Sequence, residues 1–197
     1  MHPTKGPDVE YHEAEDIVAE VGRLRSATRS QLSALWWPLF VFGILSLLSA
    51  AVIAGPGTDA LGVYWTVAGP LGGIAVGLYY RDRERALGVE SPSLPYILTG
   101  LGIFVGAMAA GVAGDAFGSE LAAAAGPSLV VSAGYVVFAL LERSLLLGAV
   151  AVALGLEATW LWVAGGDPEL IPLILAATYG TAFVATGFVL WIQGRGG

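Results

Sequence analysis

The stretch Ala34 to Ala54, ALWWPLFVFGILSLLSAAVIA, decides the fold, because no charged residue interrupts it. At a helical rise of about 1.5 Å per residue this run matches a hydrocarbon core about 30 Å thick. The same test predicts five further spans: Leu61 to Tyr80, Pro95 to Ala113, Leu121 to Leu141, Leu145 to Gly165 and Leu170 to Ile192. The runs are continuous, whereas lipid-facing barrel strands would alternate over about 10 residues. An all-α bundle of six transmembrane helices is therefore expected across residues 34–193, with a short C-terminal tail at 194–197.

Composition points the same way. The 197 residues are 56% hydrophobic and 13% charged, with a mean hydropathy of +0.73, and a soluble core of this size cannot hide so much apolar surface. There is no cysteine, so disulfides, thiolate metal sites and cysteine nucleophiles are excluded. The net charge of -7 argues against nucleic acid as a partner, but the charges are sorted by position. All nine cations (Lys5, Arg23, Arg25, Arg29, Arg81, Arg83, Arg85, Arg143 and Arg195) fall on one side of the spans, while Asp59, Asp115, Glu120, Asp167 and Glu169 mark the other. The positive-inside rule then predicts a plasma (inner) membrane protein with both termini cytoplasmic. Trp36, Trp37, Tyr79, Tyr80 and Trp191 are expected at the inner boundary, and Tyr64, Trp65, Trp160 and Trp162 toward the outer one.

Residues 1–33 form a polar tail without the basic start and short apolar core of a cleavable signal. Tyr11, Ala14, Ile17, Val18, Val21 and Leu24 fall on one side of a helix of period 3.6, opposite Glu13, Asp16, Glu20 and Arg23. An amphipathic cytoplasmic helix is predicted over about residues 9 to 32, resting on lipid, packing under the bundle or binding a partner.

Within the spans, Pro70 and Pro127 are expected to kink their helices. Pro38, Pro95 and Pro172 fall in first turns, where proline is tolerated. Gly69, Gly73 and Gly77 recur every four residues, as do Gly102, Gly106, Ala110 and Gly114. Small residues at this spacing let helices approach closely, so these positions are read as helix-packing faces within the bundle or, alternatively, as a homodimer or partner face. Ala-Gly pairs at Ala54-Gly55, Ala113-Gly114 and Ala164-Gly165, with Pro70 and Pro127 each followed by a glycine at the same interval, outline three tandem hairpins or a coincidence in an Ala- and Gly-rich chain. The proline, acid and base signature of mitochondrial carriers is absent.

Glu157 is the one ionisable acid or base well inside a span, and no Lys, Arg or His accompanies it there. An intramembrane carboxyl is a site candidate by default. It is expected to be protonated, or to be hydrogen-bonded to Thr178, Tyr179 or Thr66, in one of three roles: structural, a proton or cation site, or ligand capture. Catalytic readings lack their parts. The two histidines, His2 and His12, lie in the tail, no paired aspartates sit in the spans, and no phosphate-binding glycine loop is present. The acids Asp82, Glu84 and Glu90 beside Arg81, Arg83 and Arg85 read as a solvated ion-pair loop and not as a metal site. No catalytic residue, metal or cofactor is expected.

The run from Glu15 through Trp36-Trp37-Pro38-Leu39, Phe42-Gly43, Leu48-Ser49-Ala50, Tyr64-Trp65 and Ala68-Gly69-Pro70-Leu71-Gly72 to Tyr79-Tyr80-Arg81 resembles a group of uncharacterised six-span integral membrane proteins common in actinobacteria. It covers about residues 15 to 90. The resemblance implies a plasma-membrane protein of unassigned activity, often encoded near a small winged-helix regulator, with no catalytic residues to carry over. The expected function is that of a non-enzymatic membrane component or partner-dependent accessory protein in the lipid bilayer. The alternative is a small-solute binding or transport protein using Glu157, either a cation- or proton-coupled carrier or a subunit of the kind that serves modular vitamin transporters.

Overall fold

The structure, a computed structural model, describes residues 35–88, 94–165 and 167–195. Among these, all regular structure is helical: α1 (Trp36–Ala54), α2 (Ala60–Leu87), α3 (Leu94–Ala116), α4 (Glu120–Glu142), α5 (Leu145–Ala164) and α6 (Leu170–Arg195). Each is long and apolar enough to cross a membrane, and the chain is a six-span membrane protein. The predicted N-terminal amphipathic helix lies outside the described residues.

The helix ends follow from local chemistry. Ser119 and Ser144 each accept a hydrogen bond from the backbone N–H three residues on, at 3.3 Å, capping α4 and α5. Arg143 ends α4 in the left-handed region, with φ 54°, so α4 turns into α5 through only two residues. A cation there complements the negative end of the helix dipole, which offsets part of the cost of that conformation. α2 does not stop at Tyr80 but continues to Leu87. Arg81, Asp82, Arg83, Glu84 and Arg85 thus belong to a helix emerging from the span and not to a loop, because charged residues are good helix formers once in water.

Successive helices alternate in direction, so ring contacts join opposite termini of neighbours. The start of α1 meets the end of α2, where Trp37 stacks on Tyr79 with centroids 5.1 Å apart. The tightest pairs are α1 with α6, α3 with α4 and α4 with α5, while α5 and α6 touch sparingly. The three-hairpin plan is therefore not the packing plan. Gly55 and Gly165 do cap α1 and α5, but Gly114 lies within α3, pressed so closely on Ala122 and Ala123 that a side chain would strike their backbone.

The core gathers where α1, α4, α5 and α6 meet. Leu39, Leu147, Ile171, Leu175 and Phe183 are its largest buried hydrophobic side chains, and Phe183 packs on Tyr135 with centroids 4.3 Å apart. The α1–α6 crossing is set by glycines: a side chain on Gly180 would meet the Gly43 carbonyl at 2.9 Å. Large exposed residues such as Val63, Leu71, Leu101, Leu140 and Val163 cover the outside, which is the surface lipid requires.

On α2 the packing face is turned by about one residue from the Gly69-Gly73-Gly77 stripe. Tyr64, Ala68 and Gly72 lie toward the bundle: the Tyr64 hydroxyl donates to the Leu45 carbonyl at 2.7 Å, and Gly72 faces Leu45 and Phe42. Gly69 faces the Phe104 ring, whereas Gly73 and Gly77 look onto open space. On α3, Gly106 meets Val130, Ala110 meets Gly126 and Gly114 meets Ala123, while Gly102 also has open space beside it and Ile103 fills the gap over Gly134.

Candidate functional site

Glu157 is half-buried on α5, between Leu154, which is in the core, and Leu161, which packs against it. Residues advance about 100° per position on a helix, and Gly148 and Gly155 touch Ala139 and Ser132 of α4. Glu157 lies two positions beyond Gly155, about 200° further round, so it occupies the opposite edge of the buried face. Its carboxylate is within electrostatic reach of the Tyr179 phenol on α6. Among the described residues it receives no hydrogen bond.

The hydroxyls proposed for it are engaged elsewhere. Thr178 donates to the Ile174 carbonyl at 3.0 Å and the Leu175 carbonyl at 3.3 Å, within its own helix. Thr66 is exposed on α2 and donates to the Gly62 carbonyl at 2.7 Å, and α2 has no extended packing against α5. Tyr179 is buried, and its hydroxyl oxygen stands 2.6 Å from the Ser132 hydroxyl, 3.0 Å from the Ser128 carbonyl and 3.0 Å from the Leu154 carbonyl. Carbonyls only accept, so the phenol proton is shared between those two and Ser132 supplies its own proton to the phenol oxygen. Three helices are joined through one oxygen.

Gly155 makes this junction possible. A side chain there would stand 3.3 Å from Ser132 Cβ, so glycine lets α5 approach α4 closely enough for Tyr179 to span both. Ser132 was not among the sequence candidates. A serine in a span carries no signal by itself, and its partner is 47 positions away. A second polar contact, where α3 begins and α4 ends, was also not foreseen: the Tyr96 hydroxyl of α3 donates to Glu142 Oε1 of α4 at 2.6 Å.

Beside this junction, α5 and α6 touch only sparingly. Leu154, Ala177, Thr178, Thr181, Ala182 and Ala185 line an open-sided groove of about 480 Å³. α5 ends at its Gly165 cap and α6 begins at Leu170, and Glu157 and Thr178 each lie about 12 Å from those ends by helical rise. Glu157 is therefore level with the Thr178 end of the groove, one turn from Leu154 in its wall. Its lining is apolar apart from two threonines.

Among the described residues no three His, Asp or Glu side chains gather as a metal site. Comparison with known proteins returns no match, whether to a family model, a curated protein or a solved structure.

Proposed function

We propose that the chain is a non-catalytic component of the plasma membrane that acts through a protein partner. One observation carries this reading: at the depth of Glu157 the bundle interior is occupied by the Tyr179 and Ser132 junction, and the adjacent concavity opens sideways and is mostly apolar. A solute site of drug or vitamin size would call for an enclosed cleft with converging polar groups, whereas the Thr178 hydroxyl is turned back on its own helix. A helical partner asks for what the groove offers, small residues and an open flank.

Both termini are placed in the cytoplasm on the distribution of the nine cations. The competing reading, small-solute binding or proton- or cation-coupled transport at Glu157, draws its support from a carboxyl that receives no hydrogen bond from the described residues. The two separate on purification of the full chain in mild detergent, with the stoichiometry of everything retained measured by quantitative mass spectrometry. A membrane protein held at a fixed ratio is expected. A small solute retained at one per chain, with no protein at constant ratio, would replace this reading with the transport one.

A further inference from the structure

We infer that the α5–α6 groove is the seat of a foreign transmembrane helix bearing a basic residue at the depth of Glu157. The inference rests on the partner-dependent reading and names the chemistry of the partner. An intramembrane carboxylate costs several kcal/mol unless it is protonated or paired, and it is commonly found facing a cavity or a counter-charge. Glu157 stands away from the α4 contacts of Gly148 and Gly155 and within electrostatic reach of Tyr179 on α6; it flanks the groove and is not part of its lining, one turn from Leu154 in the wall.

The groove itself selects a helix over a bulky side chain. Ala177, Thr178, Thr181, Ala182 and Ala185 form one contiguous face of α6, and residues of this size admit a neighbouring backbone, the main source of association between helices in lipid. The charge argument excludes a second copy as the occupant. All nine cations of this chain lie outside the apolar runs, and none lies level with Glu157. Two copies meeting here would bring two carboxyls together and no counter-charge. The complementary partner is a different chain with Lys or Arg in the outer half of its span.

The test uses a synthetic Leu-Ala helix of about 24 residues carrying one Lys level with Glu157. It is reconstituted with the full chain in phosphatidylcholine vesicles, and association is read by energy transfer from a dye on Asp167→Cys, which is a unique thiol because the chain has no cysteine. The Lys peptide is expected to associate about tenfold more tightly than the same peptide with Leu. Glu157→Gln should abolish that preference, and Thr181→Leu, which fills the groove, should weaken both peptides.

Equal association of the Lys and Leu peptides with the unaltered chain would overturn the inference. So would a preference that survives Glu157→Gln, or one that persists when the Lys is moved two turns deeper, a control that leaves the protein untouched. Energy transfer between two labelled copies that Thr181→Leu abolishes would assign the groove to a second copy and also overturn it. A natural partner retained equally by the chain and by Glu157→Gln would overturn this inference alone and leave the accessory reading standing.

Discussion

The Tyr179 phenol oxygen lies 2.6 Å from the Ser132 hydroxyl, and through that contact α6 is fastened to α4 while the same oxygen reaches the Leu154 carbonyl of α5. Both residues are nearly inaccessible, at 4% exposure each. A polar group at this depth has no water to fall back on, so its worth depends on whether every neighbour is satisfied. Here the protons suffice: one from serine to the phenol, one from the phenol to the carbonyls. The junction joins α4, α5 and α6 at the Leu154 carbonyl, and Leu154 also lines the groove.

Removing the phenol hydroxyl tests that junction. Tyr179→Phe is expected to destabilise the folded chain by about 1–2 kcal/mol, the usual scale for hydrogen bonds between helices in membranes. The measurement is reversible unfolding in mixed micelles with increasing SDS. Ser132→Ala should cost less, because it leaves the phenol donating to its carbonyls. The double variant should lose less than the two single losses added together, since both substitutions break the same bond. Strict additivity would mean that the two hydroxyls do not act as a unit.

Two glycines with similar sequence surroundings should respond with opposite signs. At Gly114 a methyl group would strike the backbone of Ala123, so Gly114→Ala must push α3 away from α4, and an overpacking loss of about 1–3 kcal/mol is expected. At Gly73 a methyl group meets open space. Gly73→Ala should therefore be neutral or stabilising by up to about 1 kcal/mol through helix propensity. The same SDS titration compares them, and a comparable loss at Gly73 would show that its face is covered by another chain.

This contrast marks where the sequence is legible. The six spans are plain in it because lipid tolerates few charges, and the run from Ala34 to Ala54 could be little else. Which face of a span packs is hidden. Lipid and neighbouring helices are equally apolar, so no amphipathic stripe separates Gly73 from Gly72, and both belong to small-residue patterns. The continuation of α2 beyond Tyr80 was obscured because Arg81 to Arg85 end the hydropathy signal without ending the helix. Glu157 could be singled out as the lone acid of its span, but the occupation of Thr178 and Tyr179 by other acceptors depends on contacts that spacing does not encode.

Sidedness is open to a clean measurement because the chain contains no cysteine. Asp59 and Asp167 are exposed at one end of the bundle and Asp82 at the other. In intact cells, Asp59→Cys and Asp167→Cys should react with a membrane-impermeant maleimide, and Asp82→Cys should react only after the cells are opened. The expectation rests on the sorted cations. Labelling of Asp82→Cys alone in intact cells would invert the assignment of both termini.

Replacing Glu157 separates its effect on the isolated chain from its effect on any complex. Because it receives no hydrogen bond from the described residues, Glu157→Gln should leave thermal unfolding in detergent within about 1 °C. Glu157→Leu should raise the midpoint by a few degrees, since a midspan acid is unfavourable and leucine is not, and 1 kcal/mol corresponds to about 2–4 °C for a chain of this size. A fall of several degrees with Glu157→Gln would reveal an ionic contact within the chain itself. If the carboxyl instead serves a basic partner helix, both substitutions leave the monomer sound and weaken only the assembly, which would separate a binding residue from a structural one.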